Sequence, residues 1–100
     1  MTKHPKKLLV IFAEAALEKR LVADAMRLGA QGYTVWDVRG GGASGTREGR
    51  WEADRTIEMK VVCDEAVADA IAQTVLDSYG AHYHVSLYFT DVQVLRADKF

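Results

Sequence analysis

Residues 32–63, GYTVWDVRGGGASGTREGRWEADRTIEMKVVC, hold two strands with an unpatterned segment between them. Gly32 opens the first strand, Tyr33 to Arg39, which carries Val35, Trp36 and Val38. The second, Thr56 to Cys63, sets Ile57, Met59, Val61 and Cys63 in alternation with Glu58, Lys60 and Val62, the period of a half-buried strand. Between them, residues 40–55 contain Gly40, Gly41, Gly42, Gly45 and Gly49 and no apolar period. Four arginines (Arg39, Arg47, Arg50, Arg55) face three acids (Glu48, Glu52, Asp54) across residues 39–55, and Trp51 is the single large hydrophobe of the segment. A loop of this length in a small domain is uncommon and usually either functional or disordered.

On the N-terminal side, Leu8, Leu9, Val10, Ile11 and Phe12 make a continuous apolar run within Lys6 to Ala13, which reads as a buried strand. Leu17, Leu21, Ala25 and Leu28 then share one helix face, and Gly29 is placed to end that helix in the left-handed region. On the C-terminal side, Asp64 is a good N-cap for a second helix with Val67, Ile71, Val75 and Tyr79 on its buried face and Gly80 at its end. A last strand is expected from His82 to Leu95. Its apolar parity slips between Val85, Leu87, Phe89 and Val92, Val94, which predicts a bulge or bend near Thr90–Asp91. The order β-α-β-β-α-β is that of an α+β, ferredoxin-like fold. Both helices are expected on one sheet face. Trp36 and Tyr88 then point to the other face, where self-association would cover them.

The whole chain, 100 residues with 49% hydrophobic and 27% charged, suits one domain spanning 1–100 and excludes global disorder. The net charge of −1 gives no sign of a nucleic-acid binder. One cysteine, Cys63, excludes an internal disulfide. The apolar run at residues 8–13 is too short for a bilayer, and MTKHPKK leads into no cleavage-like site, so a cytoplasmic protein without membrane insertion is expected.

Gly40, Gly42 and Gly45 fit G-x-G-x-x-G formally, but no helix follows to hold a pyrophosphate, so a dinucleotide fold is not indicated. The glycines keep a physical meaning. Their N–H groups can approach an anion closely, and arginines of the same loop can fork onto an oxyanion. His82 and His84, at i and i+2 of the expected strand, could join Cys63 in a copper or zinc site. No triad elbow or distinctive carboxylate pair appears, so no enzyme is indicated. A small ferredoxin-like monooxygenase would need a polar pocket where Val85, Leu87 and Phe89 predict filled core.

At Gly29–Gly42 the run GAQGYTVWDVRGGG resembles the PII signal-transduction family, whose second strand passes through Gly-x-Thr-Val into a Gly-x-Gly at the base of the long T-loop. The likeness extends over about residues 7–96. It implies a homotrimer that binds adenine nucleotides at clefts between subunits and docks its T-loop, here about 40–55, on a partner. By position, Thr34 and Val35 match the strand beside the nucleotide, Gly40, Gly41 and Gly42 the T-loop base, Val61 an aliphatic residue flanking the adenine, and Arg96 a C-terminal arginine at the phosphates. The loop before the last strand departs from the PII Thr-Gly…Gly-Asp-Gly-Lys pattern. The T-loop glutamine that serves magnesium and 2-oxoglutarate is replaced by Ser44 or its neighbour, and the modifiable T-loop tyrosine is absent.

Gly-Tyr-Thr-Val-x-Asp at Gly32–Asp37 and the Val94-Leu95-Arg96 ending with Phe100 are similar to PII-like proteins that accompany bicarbonate transporters and carboxysomes. That resemblance implies a non-enzymatic regulator of inorganic-carbon metabolism with no prosthetic group. Its ligands would be ADP or AMP, with ATP possible, and bicarbonate. Ser44, Arg47, Arg96 and Lys99 would complete the anion site. The contrasting expectation is a trimeric CutA-like metal-binding protein using His82 and His84.

Overall fold

The computed structural model describes residues 1–42, 45–47 and 55–100, with the main chain alone at Gly42 and 45–47. β1 (His4–Glu14) passes through a 3-10 turn into α1 (Glu18–Arg27) and then β2 (Thr34–Val38). A short ribbon, β3 (Gly40–Gly42) and β4 (Gly45–Arg47), precedes β5 (Thr56–Cys63), α2 (Glu65–Tyr79) and β6 (Val85–Val94). The main sheet has the order β2-β5-β1-β6 with antiparallel neighbours throughout. β1 and β2 both oppose β5, so they run parallel to each other and need the crossover that α1 supplies. α2 performs the same service between β5 and β6. The expected α+β, ferredoxin-like architecture is therefore the observed one.

Period-two alternation sets the core. Leu9, Ile11 and Ala13 of β1 and Ile57, Met59, Val61 and Cys63 of β5 are at most 1% exposed and pack against Leu17, Leu21, Ala25, Ala68, Ile71 and Val75. Each large aliphatic side chain so enclosed contributes on the order of 1.5–3 kcal/mol. The helix faces read from spacing are the buried ones, with Leu28 and Val67 at their partly covered margins. Gly29 ends α1 with φ +116°, the conformation that favours glycine.

Three expectations are corrected. First, there is no bulge in β6: pairing with β1 is unbroken from His4↔Val94 to Ala13↔Val85. The parity slip records a change of apolar face instead. Val85 and Leu87 lie opposite core residues Ala13 and Ile11, whereas Val92 and Val94 lie opposite Lys6 and His4 on the face away from the helices. On the helix side, Asp91 is paired in register with Lys7 and forms an ion pair with it. Second, β6 begins at Val85. His82 and Tyr83 sit in the turn after α2, their N–H groups donating to the Tyr79 carbonyl at 3.3 and 3.0 Å. Third, part of the glycine-rich segment is paired: Gly40↔Arg47, Gly41↔Thr46, Gly42↔Gly45. Main-chain bonds hold that ribbon, so side-chain periodicity could not announce it.

Candidate functional site at the loop base

β2 runs directly into β3, and the chain returns at Arg55. The Arg55 guanidinium donates to the Asp37 carboxylate at 2.7 Å, and the Arg55 carbonyl accepts from the Ala15 N–H at 2.9 Å. Both ends of the loop are thus tied to the sheet. Among the described residues only Gly29 has positive φ, and a Cβ at Gly40 would meet nothing within 4 Å. Neither backbone strain nor packing demands glycine at position 40 in this conformation. Room for a close approach, or for a second conformation, is what remains to explain it.

Beneath the loop base lies a pocket of about 220 Å³, lined by Phe12, Val38, Arg39, Gly40, Thr56 and Glu58. It opens on the helix-free face at the end of the sheet where Val38, Thr56 and Glu14 stand in one row across three strands. Sequence reasoning missed Phe12, Thr56 and Glu58 as pocket residues. Their shared parity on adjacent strands was the available signal.

The expected site residues divide between two ends of the sheet. Gly40, Gly41, Gly42 and the Arg47 main chain are at the loop end. Arg96 and Lys99 are exposed beyond Val94, which pairs with His4. Ten residue steps of β1 separate the two ends, about 33 Å at strand rise. Thr34 lies between them, exposed on the helix-free face opposite Lys60. The β2–β5 pairing stops there, so β5 beyond Lys60 has no strand partner on that side among the described residues. Val35 is half-buried on the helix side. The Val61 side chain is fully enclosed in the core, so only its main chain can face that free edge. Ser44 lies outside the described residues.

The histidines and the cysteine are not brought together. Cys63 pairs with Lys7, whereas His84 precedes Val85, the partner of Ala13, about 20 Å away along β1. No group of three or more His, Cys, Asp or Glu that could hold a metal exists among the described residues. Burial pushes the Cys63 thiol up from its ordinary value, away from ready thiolate chemistry.

A second, larger pocket of about 660 Å³ lies at the far end, by the start of α2. Its lysines are already engaged: Lys6 with Asp64 at 2.7 Å and Lys7 with Asp91. One further cluster went unread in the sequence. The Arg20 guanidinium lies 5.6 Å from the ring centres of both Tyr79 and Tyr83, and the Tyr79 hydroxyl donates to Asp24 at 2.8 Å. It ties α1 to the end of α2 and to the turn that follows.

The family model for nitrogen regulatory protein P-II matches residues 6–99. The chain belongs to the PII family. Similar solved structures include a PII-like signalling protein from Thermus thermophilus, 41% identical, with TM-score 0.86 and coverage of 100% of this chain and 99% of that one. Another is CPII from Thiomonas intermedia, a nitrogen regulatory PII-like protein bound to ADP, AMP and bicarbonate. It is 26% identical, with TM-score 0.88 and coverage of 99% and 96%. CPII bound to ADP and bicarbonate is 25% identical, with TM-score 0.87 and coverage of 99% and 97%. No curated protein sequence matches. The PII assignment does not favour the CutA-like expectation. No helix among the described residues is long and apolar enough to cross a membrane.

Proposed function

We propose that residues 1–100 form one PII-like domain that works as a non-enzymatic, homotrimeric signalling protein in the cytoplasm. It binds ADP or AMP, and bicarbonate, at clefts between subunits. Ligand binding reshapes the T-loop, about residues 40–55, which then regulates a partner in inorganic-carbon metabolism such as a bicarbonate transporter or a carboxysome-linked protein.

The observation that carries this reading is the split site. Glycine N–H groups and Arg47 stand at one end of the sheet, Arg96 and Lys99 at the other. A polyanion can meet both sets only where the loop end of one subunit abuts the C-terminal end of the next. Such a head-to-tail contact closes into a ring when its rotation divides a full turn, as a homotrimer requires. The exposed faces of Trp36 and Tyr88, 45% and 51% accessible, supply apolar surface for that contact. Thr34 and the free edge of β5 at Val61 would border the base, and Gly40–Gly42, Ser44 and Arg47 the phosphates. The relatives that contain ADP, AMP and bicarbonate support the choice of ligands.

The test is calorimetric titration with AMP, ADP and ATP, with and without bicarbonate. Adenylate binding strengthened by bicarbonate is the expected result, and the coupling must be reciprocal. Absence of adenylate binding under both conditions overturns the reading.

A further inference from the structure

The turn between α2 and β6 is held from outside itself. Gly80, Ala81, His82 and His84 are exposed, and Tyr83 is its half-buried member. Tyr83 packs edge-on against Tyr79, with ring centres 6.1 Å apart and planes at 80°. The Arg20 guanidinium, from α1, stands 5.6 Å from the centre of each ring. One of its nitrogens lies 3.4 Å from the Tyr83 hydroxyl. A guanidinium at this distance is attracted to the face of each ring. One side chain thus joins the first helix, the end of the second and the turn that follows.

The turn reaches the loop base through one carboxylate. The His84 N–H donates to Glu14 Oε2 at 3.3 Å. Glu14 is the last residue of β1 and pairs with Thr56, the first of β5. The next residue, Ala15, donates its N–H to the Arg55 carbonyl, and the Arg55 guanidinium holds Asp37 of β2. Contacts therefore run from α1 to the place where the long loop leaves the sheet and returns to it. We infer that Arg20 is a positioning residue for the loop base, acting through the turn after α2 and through Glu14. Without the guanidinium, Tyr83 loses the partner that fixes it to α1. The turn then swings the His84 N–H away from Glu14, and the end of β1 loosens together with the Ala15–Arg55 bond. The effect on ligand affinity rests on the adenylate reading above, whereas the coupling is a property of the chain itself. Coupling is a free energy, read as non-additivity between its first link and its last.

The readout is amide hydrogen exchange of the full chain, followed by NMR and expressed as protection factors. The Ala15 amide reports the tie to Arg55, and the β1–β5 ladder reports global opening. Arg20→Met keeps an unbranched apolar stem and removes the guanidinium. It lowers Ala15 protection about fivefold or more beyond any change in the ladder, the combined size of two exposed cation–π contacts. Lys19→Met removes the neighbouring exposed cation of α1 and leaves Ala15 unchanged. In a Glu14→Ala background the last link is already broken, and Arg20→Met has no further effect on Ala15. Unchanged Ala15 protection in Arg20→Met, a loss no larger than that of the ladder, or an undiminished effect in the Glu14→Ala background overturns the inference. ADP affinity falls severalfold in Arg20→Met, and an affinity equal to wild type overturns the inference as well. If the wild type binds no ADP, the adenylate reading falls and the exchange result alone decides.

Discussion

Tyr79 shows how a single residue joins packing to electrostatics. It was expected on the buried face of α2, and it is 7% exposed. Spacing said nothing of its hydroxyl, which donates to Asp24 across the helix pair. Burial first, and that hydrogen bond second, hold its phenol above the ordinary value. The folded state therefore favours the neutral phenol. Its contribution is complete below the unfolded pKa of about 10 and is lost as pH rises through the higher folded value. In Tyr79→Phe the melting temperature at neutral pH falls by an amount worth about 1 kcal/mol. Between about pH 9 and 11 the wild type then loses more stability than the variant. Parallel pH-dependent melting curves would refute this. Asp24 keeps Arg27 at 3.1 Å in the variant, which limits the loss.

Among the elements, the buried face and the end of α1 were legible because three signals agreed: the Leu17, Leu21, Ala25 face, the exposed charges and Gly29. The glycine is required by geometry. At φ +116° a Cβ would also lie 3.3 Å from Val67 Cγ2. Gly29→Ala should cost about 1–2 kcal/mol, seen as a lower denaturation midpoint with unchanged slope. A midpoint equal to wild type would show that the turn relaxes freely. β6 was harder. Its residues alternate correctly on either side of Thr90, but the local pattern cannot distinguish an extra residue in the strand from a reversal of the apolar face. The distinction depends on where β1 and the helices stop, and both lie far away in sequence.

For the whole molecule, the proposed function depends on surfaces that one chain cannot complete. On the helix-free face Phe12 and Tyr88 pack with ring centres 6.3 Å apart, and Lys60 lies 5.0 Å over Trp36. The proposed site is divided between sheet ends, so complementation tests it. Arg47→Ala and Arg96→Ala should each bind ADP weakly. Trimers reassembled from equal amounts of both should regain tight binding at about a quarter of their interfaces, where an intact loop end meets an intact C-terminal end. No recovery in the mixture would place both arginines in one chain's site.

The order of the main-sheet strands and the two helices, and the buried faces of β5, α1 and α2, were determined by the sequence alone. Those properties follow from local period and from capping chemistry, which act within a few residues. The Gly-x-Thr-Val passage into the glycines was enough to show the family resemblance. Tertiary structure alone decided the unbroken β1–β6 register, the enclosure of Val61, the separation of Cys63 from the histidines, and the meeting of Phe12, Thr56 and Glu58 around one pocket. These depend on which strands become neighbours and where each ends. Pairing between β1 and β6 joins residues more than 70 positions apart, such as Ala13 and Val85. No short-range pattern in the chain encodes that alignment, because it is set by the shared burial of both strands under the same two helices.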